Sequence, residues 1–257
     1  MIDVLKQMEL WFKANKLTIN MSKTKYSIFA KNQGVPNNLN CINVNGAKID
    51  RVSDSKYLGM ILDDQISWKK HIEELNEKLT KTIQAFKIVT RYLNTSTKYM
   101  IYYAYFYSRV HYGSELFTTS NKTCLNSVQV KQNRALKVLF HKDFYTPTLQ
   151  LHKDLKVPLI RDIGKINSLK LVHKIQNKLA PDAFNGYFVQ NKDVPGRRKG
   201  TRQDNLLSTN QYKGNILRQT FKFRGASLWN DTPKEIQNME KNYNFGKHLK
   251  AHIISKY

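Results

Sequence analysis

Cysteine is nearly absent: Cys41 and Cys124 stand alone in 257 residues. That leaves no paired spacing for a disulfide framework or a Cys-based zinc site, and the usage fits a reducing compartment. Long apolar runs are missing as well. The longest uncharged apolar stretch, Tyr99 to Ser108, is about half of the roughly 20 residues that a membrane helix needs. The opening MIDVLKQMELWF has neither the short apolar core nor the cleavage site of a secretory signal. His71, His111, His141, His152, His173, His248 and His252 show no metal-like pairing. His248 and His252 are four apart, but without a carboxylate or cysteine partner they make a poor ligand set. No internal repeat is visible.

Acidic side chains are scarce too, 19 against 43 Lys and Arg, which gives a net charge of +24. The imbalance grows along the chain. Residues 1–64 carry 9 basic and 6 acidic side chains, residues 65–160 carry 15 and 6, and residues 161–257 carry 19 and 7. Such an excess is the footprint of a polyanion binder, the plainer alternative being a protein that is merely basic. Membrane-surface binding would ask for one compact basic amphipathic helix, whereas this charge is spread over the whole chain. What is present in quantity is core material. Hydrophobic residues make up 40% and aromatics 11%, enough at this length to bury a core without disulfides or metals.

Periodicity divides the chain. Ile2, Leu5, Met8 and Phe12 recur at helical spacing. Leu17 to Phe29 switches towards alternation and predicts two short strand stretches around a polar turn at Ser22. Residues 31–40 are loop by composition. Ile42–Val44 and Lys48–Val52 flank Asn45-Gly46, a strong hairpin signal, and Lys56–Leu62 predicts a further strand. Ser67 is the expected N-cap of a long helix to about Arg91, with Ile72, Leu75, Leu79, Ile83 and Phe86 on its apolar face. Thr95 or Ser96 should cap a helix to about Val110. Further helices are expected over 122–140, after Thr146-Pro147, and over 159–179. Residues 190–214 read as a basic linker, and a last piece ends in a helix near 244–255. The expected fold class is α+β, a small αβ piece followed by mainly α-helical regions.

The ordered set ELWFKANKLTINMSKTKYSIF, SDSKYLGMILDDQISWKKHI, IYYAYFYSRVHYGSELF, VQVKQNRALKVLF, TRQ, FKFRGASLWNDTPKEI and FGKHLKAHI resembles a family. It is similar to the C-terminal part of non-LTR (LINE-type, jockey-like) retrotransposon reverse transcriptases, from the end of the palm through the thumb. The resemblance covers nearly the whole chain in order. It implies a partial palm with a primer-grip-like hairpin over 1–65, a helical thumb over 66–145, a helical connection over 146–189, a basic linker over 190–214 and a C-terminal module over 215–257.

The resemblance also implies roles. Asn20, Lys23 and Thr24 match an Asn-x-x-Lys-Thr pattern, and Lys23 would stand near the departing pyrophosphate, where a cation stabilises developing negative charge. A solvated turn lysine is the alternative. Tyr57, Leu58 and Gly59 match the hairpin that holds the primer end. Lys69, Lys70, Lys78, Lys81 and Lys87 on the long helix would meet phosphates, which positions a duplex without reading its sequence. They do not form one clean stripe. Arg197, Arg198 and Lys199, with Arg202, form the densest basic cluster, equally readable as a nucleic-acid clamp or a solvated run. The tyrosines Tyr99, Tyr102, Tyr103, Tyr105, Tyr107 and Tyr112 are expected mainly as core. Trp229 and Phe223 are expected in the core of the last module.

Polymerisation needs two metal ions held by palm aspartates, and the family's aromatic-x-Asp-Asp is missing. The pair Asp63-Asp64 lacks the aromatic and follows Tyr57-Leu58-Gly59, where the family's catalytic pair precedes the Asn-x-x-Lys-Thr pattern. It is read as a strand-end turn, and no catalytic residue is assigned beyond Lys23. No metal or cofactor is expected in this chain, magnesium being implied only for the full-length polymerase. The main expectation is a 5′-truncated or mis-split polymerase product, inactive alone, that keeps template–primer-binding elements. The alternatives are a standalone basic nucleic-acid-binding protein derived from a retrotransposon, and the C-terminal half of a split polymerase that docks on an upstream chain. The expected partners are RNA, DNA or an RNA–DNA hybrid and not a membrane. Nucleus and cytoplasm are both open.

Overall fold

The computed structural model describes residues 2–29, 41–44, 47–196, 200–209, 220–240 and 242–257. The chain is α+β and mostly helical, and divides into two compact units, Met1–Glu73 and Glu74–Tyr257. Among the described residues no helix is long and apolar enough to cross a membrane.

The first unit opens with α1 (Ile2–Ala14). Leu5 and Phe12 are half-buried, while Met8, expected on the same face, is exposed together with Leu10 and Trp11. The strands expected over 17–29 do not form. Only Tyr26 makes a bridge, parallel to Arg51, with Val52 N donating to Tyr26 O at 2.9 Å. Alternating apolar residues stabilise a strand only when a neighbouring strand takes up their backbone groups. Two antiparallel hairpins follow. β1 (Cys41–Val44) pairs with β2 (Ala47–Asp50), with Val44 opposite Ala47. That register is the one a two-residue connection sets; Asn45 and Gly46 themselves lie outside the described residues. β3 (Asp54–Tyr57) pairs with β4 (Met60–Asp63), with Tyr57 opposite Met60. The single strand that alternation predicts over 56–62 is therefore corrected to a hairpin that reverses at Leu58-Gly59, where the resemblance places one.

α2 (Lys69–Val89) ends in a 3-10 turn, Thr90–Tyr92. Its buried face is the one its periodicity predicts, Ile72, Leu75, Leu79, Ile83 and Phe86. Ser67 is not its main anchor. Asp63 is: its carboxylate accepts from Ser67 N at 2.9 Å and Trp68 N at 2.9 Å, while the Ser67 hydroxyl accepts from Lys69 N at 3.3 Å.

In the second unit α3 (Thr95–Ile101) is capped by Asn94, whose side chain accepts from Thr97 N at 2.9 Å. Thr95 and Ser96, the expected caps, are already helical. The helix passes through a π turn, Tyr102–Tyr107, into α4 (Ser108–His111), and α5 (Ser114–Phe117) follows. α6 (Lys122–Leu139) is capped by Asn121, and α7 (Thr148–Asp154) starts after Pro147. α8 (Ile160–Gln176) is the centre. α4, α5, α6, α9 (Phe221–Asn230) and α11 (Asn242–Ser255) all pack on it. Its buried residues fall on every side, among them Ile160, Ile163, Ile166, Leu169, Val172 and His173, as in a helix enclosed by others. α10 (Lys234–Gln237) lies between α9 and α11 in the chain.

The stretch read as linker is tied into this unit where it is described. Gln190 bridges to Leu207, Asn191 N donates to Leu206 O, and the Asn230 side chain exchanges two hydrogen bonds of 2.9 Å with the Leu207 backbone. Leu207 lies in one cluster with Leu169, Val172, Trp229, Phe245 and Leu249. Trp229 is core as expected, and Phe223 is half-buried. The tyrosine run divides: Tyr102 is fully buried, whereas Tyr105 and Tyr112 are exposed.

Candidate nucleic-acid interface

The Asn20-x-x-Lys23-Thr24 pattern builds a turn. Asn20 Oδ1 accepts from the Ser22 hydroxyl at 2.7 Å and from Lys23 N at 3.2 Å. Asn20 O accepts from Thr24 N at 3.0 Å and from the Thr24 hydroxyl at 2.8 Å. Asn and Thr are thus consumed in closing the turn, the local bonding that favours them there. Lys23 is left exposed at its crest.

The β3–β4 tip has an unusual composition. Leu58 has φ 46° and Gly59 has φ 80°, positive at both central positions as in a type I′ turn. That turn selects Asn-Gly, and a leucine there costs about 1 kcal/mol of backbone strain. Leu58 is also 71% exposed and Tyr57 63% exposed. A strained apolar residue displayed to solvent lowers stability twice over.

The lysines of α2 do not share one environment. Lys70 is paired with Asp54, and this contact pulls the Asp54 carboxyl below the usual carboxylate range and raises the Lys70 ammonium. Lys78 is paired with Glu74 one turn earlier. Lys69, Lys81 and Lys87 are exposed and have no ion-pair partner among the described residues. Arg202 is exposed on a turn closed by Asp204, which accepts from Gly200 N at 2.6 Å and from Thr201 N at 3.1 Å. Arg197, Arg198 and Lys199 lie outside the described residues. Lys23, Tyr57, Leu58, Lys69 and Lys70 belong to the first unit, and Lys78, Lys81, Lys87 and Arg202 to the second.

Asp63 and Asp64 do not suit a pair of divalent cations. The Asp63 carboxylate receives three backbone amides, from Gln65, Ser67 and Trp68. Asp64 Oδ2 faces Arg51 Nη2 at 3.5 Å. These carboxylates hold the strand-to-helix loop, in which Ile66 and Trp68 have φ 52° and 64°.

One basic surface escaped the sequence reading. A cleft of about 680 Å³ in the second unit is lined by Lys122 at the start of α6, Arg161 and Lys165 on α8, and the polar groups of Asn126 and Thr148. The start of α8 is already satisfied there: Ile160 N donates to Gln129 Oε1 at 2.9 Å and Leu159 N to Tyr257 Oη at 2.9 Å. Lys165 pairs with Asp162 at 2.8 Å. Lys122 and Arg161 supply the remaining positive charge. Nothing in the linear spacing joins residue 122 to residue 161, and only the packing of α6 on α8 does so.

No family model matches the chain, and no solved structure matches it. Its homologues among curated proteins are polymerases of non-LTR retrotransposons, at low identity over part of its length. It is 25% identical over 165 residues to the RNA-directed DNA polymerase from mobile element jockey of Drosophila melanogaster, covering 62% of this chain and 18% of that protein. The jockey polymerase of Drosophila funebris is 27% identical over 124 residues, covering 47% of this chain and 14% of the relative. The probable RNA-directed DNA polymerase from transposon X-element of Drosophila melanogaster is 22% identical over 205 residues, covering 77% and 22%. The chain thus spans roughly a fifth of the length of the curated relatives it matches.

Proposed function

We propose that these 257 residues are the template–primer-binding portion of an RNA-directed DNA polymerase of this retrotransposon type, and that they do not polymerise on their own. The observation that carries the reading is the β3–β4 tip, where Tyr57 and a strained Leu58 are displayed as a primer-contacting hairpin requires. The exposed Lys23 on its closed turn supports it, as do Lys69, Lys81 and Lys87 on α2, which have no ion-pair partner among the described residues. In this reading the hairpin tip touches the primer strand, and Lys69, Lys81, Lys87 and Arg202 meet phosphates. Asp63 and Asp64 are structural, and the metal-holding carboxylates of the reaction are supplied by polypeptide outside these residues. A thumb role for the helices and a fragment origin for the chain belong to this proposal.

The test is a competition assay with the purified chain and a labelled RNA–DNA hybrid. Unlabelled hybrid should displace the label at lower concentration than single-stranded RNA of the same length, and polyglutamate should displace it least. Equal displacement by polyglutamate would reduce the interaction to bulk charge and overturn the reading.

A further inference from the structure

Three ammonium groups gather on one face of the second unit without a carboxylate partner among the described residues. Lys170 and Lys174 are one turn apart on α8, and Lys250 stands on α11. Lys170 is half-buried; burial lowers its pKa from the usual lysine value, and the charges of Lys250 and Lys174 act in the same direction. Its stem lies across α11 at Gly246. A methyl group at that position would come within 2.5 Å of Lys170 Cε and 3.1 Å of Nζ, so the glycine is what lets the ammonium reach this face. Lys250, one turn beyond Gly246, donates to Tyr103 Oη at 2.9 Å and sits 5.2 Å from the ring centroid.

The π turn brings the aromatic side of the cluster. Ser108 N donates to Tyr103 O, five residues back, and Tyr103, Tyr107 and His111, four residues apart in turn, have successive ring centroids 5.0 and 5.4 Å apart. π turns inside helices recur at functional sites. Tyr103, while accepting from Lys250, keeps its own hydroxyl proton to give. His111 feels the opposing charges of Lys170 and Glu115.

Gathered like charges repel, and a phosphate placed among them turns that repulsion into charge-assisted hydrogen bonds. We infer that Lys170, Lys174 and Lys250, with the Tyr103 hydroxyl, form a phosphate-binding site on the face shared by α8, α11 and the π turn. It deepens the functional reading and rests on it for the source of the phosphate, a nucleic-acid backbone rather than free phosphate.

Lysine acylation followed by mass spectrometry tests the site in the full chain. An RNA–DNA hybrid at physiological salt should lower the labelling of Lys170 and Lys250 severalfold relative to the exposed Lys142 and Lys178. Millimolar inorganic phosphate is the second arm. Protection by the hybrid assigns a backbone phosphate. Protection by phosphate alone keeps the site, gives it to a free phosphate and counts against the nucleic-acid reading. Equal labelling with and without both ligands overturns the site, even where the chain binds the hybrid elsewhere. Gly246→Ala separates geometry from charge. It displaces only the flexible end of Lys170 and favours the helix, so it should keep the fold and net charge but lose the protection of Lys170. Retained protection in that variant would also contradict the site.

Discussion

Asp63 shows how one side chain can define a junction. Its carboxylate takes the amides of Ser67 and Trp68 and so holds Ile66 and Trp68 in left-handed conformations that neither adopts freely. Asp63→Ala should lower the stability of the first unit by about 2 kcal/mol, the loss of a cap together with unsatisfied amides. Asp63→Asn should retain part of it, and denaturant unfolding followed by Trp68 fluorescence reads both. His152 works through burial. Burial holds its imidazole below the usual value of 6.5, partly offset by its contact with Val157 O at 2.9 Å. The unfolded chain regains the ordinary value and takes up a proton that the folded chain resists. Stability is therefore fully present above 6.5 and falls as the pH drops below it, and His111 and His252, also lowered by burial, add in the same direction. The urea midpoint should be lower at about pH 5.5 than at about pH 7.5. A midpoint that stays constant or rises on acidification would contradict this account.

At the scale of elements, the β3–β4 hairpin sets stability against display. Leu58→Asn places a residue that the turn prefers at φ 46° and should stabilise the hairpin by about 0.5–1 kcal/mol. The same change should weaken hybrid binding severalfold, because the displayed apolar contact is gone. A variant that gains stability and binds as before would show that the tip is only a turn. How legible each element was follows from where its information lies. α2 and α6 carry their burial in their own periodicity, so both are readable from the sequence within a few residues. Alternation alone makes residues 56–62 one strand, because Leu58-Gly59 lacks the Asn or Asp that marks such turns; only the resemblance points to a hairpin there. The strands expected over 17–29 do not form for the opposite reason: alternation is present, but among the described residues only the Tyr26–Arg51 bridge pairs with it. Gly246 carried no signal, since its use depends on Lys170 arriving from another helix.

At the scale of the whole molecule, charge was the most legible property and its arrangement the least. The net +24 follows from counting. That Lys70 and Lys78 are neutralised by Asp54 and Glu74, while Lys170, Lys174 and Lys250 converge, requires the packing of α8 against its neighbours. A helix enclosed on all sides has no polar face to betray its orientation, so the groups around α8 could not be assembled from sequence. The most direct test of the central claim is the affinity of the purified chain for an RNA–DNA hybrid across a salt series. Each phosphate contact contributes a slope of about −0.9 in log affinity against log salt for a duplex. The account predicts a steep linear loss corresponding to several contacts, with the hybrid preferred over single-stranded RNA at every salt concentration. A shallow slope without that preference would contradict it.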